Sequence, residues 1–194
     1  MKQNELDVLI DMIRMTERCK YEAASRMRFK RSVGFFATTT SSMILLLIPL
    51  LQLANYEFSL SSELTNAIQV YFAICTILYS VIIGVAGYDK KEASYTNDGR
   101  KLANLREEIQ VVCGDESCSE KFNDFLNKYR NLVGNMDNHG RSDYYKAAFS
   151  REQNLYSLYL KLKSYIPQLL ELTYFSVLVV SEIYFVFVLF GIRS

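Results

Sequence analysis

Two uncharged apolar stretches dominate the pattern along this chain. They are Val33–Leu53 and roughly Ala67–Tyr88, and a short polar segment, Ala54–Asn66, separates them. The first contains GFFATTTSSMILLLIPLLQL, free of charge over about 20 residues, enough to cross a hydrocarbon core about 30 Å thick. The second, AIQVYFAICTILYSVIIGVAGY, stays uncharged until Asp89. A buried helix of a soluble protein can be equally apolar. Two such runs joined by a tight polar loop instead define a transmembrane hairpin, because a helix satisfies its own backbone in lipid.

Around the hairpin the apolar spacing is helical. Leu6, Ile10, Ile13, Tyr21, Ala24 and Met27 fall near one face of a helix over residues 5–28. No Pro or Gly interrupts the chain before Gly34, so this helix is expected to run into the first apolar segment. Beyond the hairpin, Leu102, Leu105, Ile109 and Val112 mark an amphipathic helix that Gly114–Ser117 breaks. Phe122, Phe125, Leu126, Tyr129, Leu132 and Val133 define another, N-capped at Ser117 or Ser119, and the turn formers of Gly134–Ser142 end it. Ser150 and Gln153 resemble a capping box ahead of Leu155, Leu158, Leu162 and Tyr165, a period that runs up to Pro167. No segment alternates long enough to be a strand.

A third apolar run, Leu169–Ile192, carries Glu171 near its start and Glu182 near its middle. Between Leu172 and Ile192 there are fourteen Leu, Ile, Val or Phe, each contributing up to about −0.3 to −0.6 kcal/mol on an insertion scale. A central carboxylate opposes them by about +2.5 to +3.5 kcal/mol. The apolar sum matches or exceeds that cost, so a third span is expected; packing against a cytosolic bundle or an oligomer interface is the alternative. The fold class is therefore an all-α integral membrane protein. Its expected parts are an N-terminal cytosolic helix over 1–32, the hairpin over 33–88, a cytosolic helical region over 89–166 and the C-terminal apolar helix over 167–194.

Charge sets the orientation. Arg18, Lys20, Arg26, Arg28, Lys30 and Arg31 precede the first segment, and Lys90, Lys91, Arg100, Lys101 and Arg106 follow the second. The loop between has two Glu and no Lys or Arg. Basic residues gather on the cytoplasmic side, which places the N-terminus inside and the loop outside. Arg26, Arg28, Lys30 and Arg31 are read as holding the anionic inner leaflet, at about 1 kcal/mol each near the surface. The formal net charge of +1 gives no reason to expect direct nucleic-acid binding. Mean hydropathy is only +0.03, so much of the chain must be water-soluble. Cys19, Cys75, Cys113 and Cys118 lack zinc-site spacing and read as free thiols. The charged N-terminal helix is not a signal peptide.

Several constellations bear on function. Gly34, Thr38 and Ser42 recur every four residues, as do Ala37 and Ser41, while Ala73, Thr76, Ser80, Gly84 and Gly87 follow a 3-4-4-3 spacing. Small residues at this spacing let helices approach closely in lipid. Thr38, Ser41, Ser42, Ser80 and Gly84 are thus candidates for packing inside the hairpin or for lining a water-filled path between subunits. Glu182, ionisable at membrane depth, is read as a hydrogen-bonded structural group or as part of a conduction path or assembly switch. Asn138, His139, Asp143 and Tyr144 form a turn motif whose expected role is local hydrogen bonding. Gly140 and the lack of another nearby His or Cys argue against metal there. No nucleophile elbow, phosphate loop or cofactor motif is present, so neither an enzyme nor a cofactor is expected.

The Arg-rich N-terminal helix, the hairpin and the helical region with its His-containing turn together resemble the SLATT family. Arg26 and Arg31, the Tyr88–Lys91 exit, Tyr129, Asn138-His139 and Asp143-Tyr144 carry the likeness, which covers most of residues 5–165. The third apolar run resembles a subgroup with a longer C-terminus associated with defence reverse transcriptases. The resemblance implies a prokaryotic anti-phage membrane effector with a nucleotide-signalling enzyme or reverse transcriptase as partner. Such an effector assembles as a homo-oligomer in the inner membrane and permeabilises it when the partner is triggered. A membrane-anchored scaffold or sensor that docks a soluble partner is the alternative.

Overall fold

In the computed structural model, which describes residues 2–112, 121–149 and 155–191, the chain forms helices α1 (Lys2–Leu53), α2 (Ser62–Ala86), α3 (Tyr88–Val112), α4 (Phe122–Gly134), α5 (Arg141–Phe149) and α6 (Leu155–Leu189). The described residues contain no strand. They build two compact units, one from Met1–Arg28 with Asp89–Ile166 and one from Phe29–Tyr88 with Pro167–Ser194. Helices α1 and α6 each contribute to both.

The first unit is a helical core that carries most of the charged side chains. Leu6, Leu9 and Ile13 of α1 meet Leu102, Leu105 and Ile109 of α3 and Phe125 of α4, with Phe122, Leu126, Tyr129 and Leu132 packed around them. Within this unit the buried face of α1 is Leu6, Leu9, Ile13, Cys19, Lys20, Ala23, Ala24 and Met27. Leu9 is at its centre, whereas Ile10 packs at the side and Tyr21 is 40% exposed. An Arg106–Glu17 ion pair at 3.1 Å joins α3 to α1. Helix α4 starts at Lys121 without a side-chain cap; the expected caps Ser117 and Ser119, and the Ser150–Gln153 pair, lie outside the described residues.

The second unit is the apolar bundle. The loop between α1 and α2 is shorter than the polar composition suggests, because Ser61 caps α2 by accepting from the Leu64 amide at 3.4 Å. Ser62–Asn66 is therefore the first turn of α2, and Gln52 donates to Asn66 at 3.1 Å. At the other end Gly87 takes φ 60°, ψ 38°, the left-handed C-cap that only glycine adopts without strain, and α3 begins at the next residue. Ile48, Phe72, Leu178, Phe185 and Leu189 form the core, so α6 packs with the hairpin rather than apart from it. Pro167 does not end α6, which continues to Leu189.

The end of α6 is tied to the loop between α1 and α2. The Ser59 amide donates to the Leu189 carbonyl at 3.1 Å, and Tyr56 and Phe58 pack on Phe190 with ring centroids 5.4 and 6.1 Å apart. Two helical stretches, Glu5–Leu53 and Ser62–Val112, contain windows long and apolar enough to cross a membrane; Ser176–Leu189 is a shorter apolar helix.

Candidate functional site

Inside the apolar unit, three polar side chains from three helices meet. Ser41 of α1 and Glu182 of α6 are fully buried and Thr76 of α2 nearly so. The Ser41 hydroxyl donates to Glu182 Oε1 in a short hydrogen bond and lies 3.0 Å from Thr76 Oγ1. Thr76 in turn donates to the Phe72 carbonyl at 2.9 Å. The second carboxyl oxygen, Glu182 Oε2, is buried without a hydrogen-bond partner among the described residues. Helical spacing explains the convergence: Ala37, Ser41 and Ile48 share the buried face of α1, as do Thr65, Phe72 and Thr76 on α2.

The other candidate packing residues sit elsewhere. Thr38 returns its hydroxyl to the Gly34 and Phe35 carbonyls, and Ser42, which is exposed, returns its own to Thr38 at 2.8 Å. Ser80 and Gly84 lie on the exposed side of α2, and a Cβ at Gly84 would meet nothing within 4 Å. Of the hydroxyl and small-residue set, only Ser41 joins Glu182.

In the first unit, buried charges clamp the turn 137–140. Lys20, 2% exposed, lies 3.5 Å from Asp98 Oδ2 and makes a short hydrogen bond to the Asp137 carbonyl. Its ammonium stands 5.6 Å from the Tyr95 ring centroid, and Tyr95 donates its hydroxyl to the Asn138 carbonyl at 3.1 Å. Asp143 Oδ2 accepts from Arg26 Nη2 and from the Gly140 amide, both at 2.9 Å. Two cations and two carboxylates thus balance in a water-poor region. Arg26, grouped with the membrane-surface cluster by sequence, turns to Asp143, while Arg28 pairs with Glu92 at 2.7 Å. Lys30 and Arg31 are half-buried. Lys20, Tyr95 and Asp98 went unnoticed in the sequence as a group; the signal was a Lys in phase with the apolar face of α1.

Beside this clamp opens a groove of about 500 Å³ lined by Val8, Asp11, Met12, Met15, Thr16, Cys19, Tyr129, His139 and Tyr144. Thr16 and Tyr129 share a hydroxyl contact of 2.9 Å across it. His139 has its basicity lowered, first by burial and then by the Lys20 charge, with Asp143 opposing. The ring is therefore neutral at physiological pH. Burial and then the Asp143 charge push the Cys19 thiol up to about 11, so it is inert. Tyr144 is exposed and stacks edge-on against Tyr145, with centroids 6.1 Å apart. Among the described residues no group of three His, Cys, Asp or Glu side chains could hold a metal ion.

These features define an all-helical membrane protein with two long apolar helices and a unit rich in charged side chains. The chain belongs to the SMODS and SLOG-associating 2TM effector domain family 5, whose family model matches residues 2–192. No curated protein and no solved structure matches it. The family places the chain among membrane effectors associated with SMODS and SLOG nucleotide-signalling modules.

Proposed function

We propose that the protein is the membrane-permeabilising effector of a prokaryotic anti-phage module. It stands in the inner membrane with the N-terminus cytoplasmic, assembles as a homo-oligomer, and opens a path across the bilayer when a nucleotide-signalling enzyme or reverse transcriptase partner is triggered. The observation that carries this reading is the Ser41–Thr76–Glu182 cluster, sealed among helices whose outer faces are apolar. Phe35, Leu46, Leu50, Ile77, Val81 and Val85 are all exposed on those outer faces, which suits lipid contact. A carboxyl group at such a depth is costly and marks a functional pathway or switch more often than an anchor. One hairpin cannot enclose a water path, so conduction requires several copies.

The tie between Ser59 and Leu189 supports a third span, since it brings the end of α6 to the outer loop. The first unit then faces the cytoplasm. The groove beside His139 favours a second reading, a sensor that docks a soluble partner without permeabilising the membrane. Purified protein in liposomes loaded with a self-quenched dye separates the two. Release that rises more steeply than linearly with protein-to-lipid ratio is expected of an oligomeric pore. Intact liposomes at every ratio, with a monomer on native electrophoresis, would leave the docking reading.

A further inference from the structure

The membrane cluster is one hydrogen short. Thr76 spends its only hydroxyl hydrogen on the Phe72 carbonyl, 2.9 Å away. Ser41 has one hydrogen and two contacts to serve, Thr76 Oγ1 at 3.0 Å and Glu182 Oε1. With Glu182 as a bare carboxylate, one of those contacts is oxygen against oxygen, and Oε2 stays buried without a partner. A hydroxyl holds one donor hydrogen and two acceptor lone pairs, so the cluster has acceptors to spare and a donor missing.

Among the described residues no cation pairs with it. Between Ser32 and Leu53 the first helix has no Asp, Glu, Lys, Arg, His, Cys or Tyr. The titratable groups of α2 are Glu63, Tyr71, Cys75 and Tyr79, and those of α6 from Pro167 onward are Glu171, Tyr174, Glu182 and Tyr184. None of these is a base that carries positive charge. A buried, unpaired carboxylate in hydrocarbon is costly, and meeting its charge calls for a cation that the described side chains do not supply.

We propose that Ser41, Thr76 and Glu182 form an intramembrane binding site for one small monovalent cation, a proton or an alkali ion. A proton on Glu182 completes a one-way relay: the acid donates to Ser41, Ser41 donates to Thr76, and Thr76 donates to the Phe72 carbonyl. An alkali ion occupies the same place by drawing on both carboxyl oxygens and the free lone pairs of the two hydroxyls, with hard oxygen ligands that suit it. The site does not depend on pore formation. It requires only that the three helices pack as described, so it stands or falls separately from the proposed function.

Dicyclohexylcarbodiimide tests it on the full-length protein in detergent and in liposomes. The reagent adds across a protonated carboxyl: the acid proton passes to one carbodiimide nitrogen, the carboxyl oxygen bonds the central carbon, and an oxygen-to-nitrogen acyl shift gives a stable N-acylurea. In choline buffer, labelling at Glu182, located by peptide mass spectrometry, is expected to fall as pH rises. Protection by added NaCl at constant pH and ionic strength assigns an alkali ion; a pH dependence indifferent to sodium assigns the proton. Ser41→Ala, checked for the wild-type circular dichroism spectrum and elution volume, is expected to shift the protecting sodium concentration or the labelling midpoint by about 10-fold, the effect of losing one supporting group. Labelling at Glu182 that ignores both pH and sodium, or no labelling under any condition, would overturn the proposal. As a second readout, difference infrared spectra of wild type against Glu182→Gln would overturn the proton arm if they lack a protonated carboxyl band at low sodium.

Discussion

Arg26 Nη2 lies 2.9 Å from Asp143 Oδ2, although 117 residues separate them in the chain. The carboxylate is wholly buried, the guanidinium is 17% exposed, and the Gly140 amide donates to the same oxygen. The pair therefore fixes the entry of α5 against α1 and closes one side of the turn 137–140.

Removing one partner from such a pair leaves the other charge buried and alone. Asp143→Ala is expected to destabilise the first unit by about 3–5 kcal/mol. Asp143→Asn, which keeps an acceptor for Gly140, should cost less. Because the chain has two units, the measurement is native-state hydrogen exchange of unit amides near residues 20–27 and 140–147 rather than a single melting curve. Equal protection in wild type and Asp143→Ala would show that the pair is dispensable.

His139 gives a pH dependence with a definite sign. Burial and the Lys20 charge lower its folded-state value below 6.5, so the unfolded chain binds the proton more readily than the folded one. Stability from this group is complete above about 6.5 and is lost as pH falls below it towards the lowered folded value. Exchange protection of the turn should drop over that interval in wild type and not in His139→Gln. A wild-type response identical to that of the variant would remove His139 as the cause.

The core of the first unit is set by positions in phase with Leu9. Ile13→Ala, at a side chain with no exposure, is expected to cost about 2–5 kcal/mol. Val8→Ala, at 54% exposure, should fall within about 0.5 kcal/mol of wild type. Proteolytic susceptibility of the unit in detergent measures both. Comparable losses at the two positions would mean that α1 is rotated from the described face.

The proposed third span makes a topological prediction. Alkaline phosphatase fused within Ala54–Ser61 or after Ser194 should be active, and fused after Lys91 it should be inactive. Activity after Lys91 would overturn the hairpin topology, and inactivity after Ser194 with activity in the loop would place α6 on one side of the membrane only.

Much of this architecture is legible from periodicity and charge. The hairpin, the amphipathic spacing of Leu102, Leu105 and Ile109, and the helical period around Phe125 and Tyr129 follow from burying one face of each helix. What periodicity could not settle is a choice between neighbours: Leu9 and Ile10 differ by one residue on the wheel, and only packing against α3 selects Leu9. Lys20 and Asp98 escaped because each, alone, reads as a solvated charge; their value lies in meeting across 78 positions. Arg26 reads as lipid-facing for the same reason. Pro167 reads as a stop, yet α6 continues through it to Leu189. Glu182 was legible as an anomaly, whereas its partners Ser41 and Thr76 depended on which of several small residues turned inward.

In the proposed function the effector permeabilises the membrane through a unit organised on Glu182. The direct measurement is membrane potential, read with a voltage-sensitive dye in a bacterial host as the protein is induced, for wild type, Glu182→Ala and Glu182→Gln at matched membrane levels. Induction raises concentration and so drives assembly by mass action. The account predicts depolarisation and growth arrest with wild type, loss of both with Glu182→Ala despite undiminished insertion, and assembly retained with Glu182→Gln, which keeps the hydrogen bond. An unchanged potential on wild-type induction with the triggering module present, or indistinguishable behaviour of all three proteins, would contradict it.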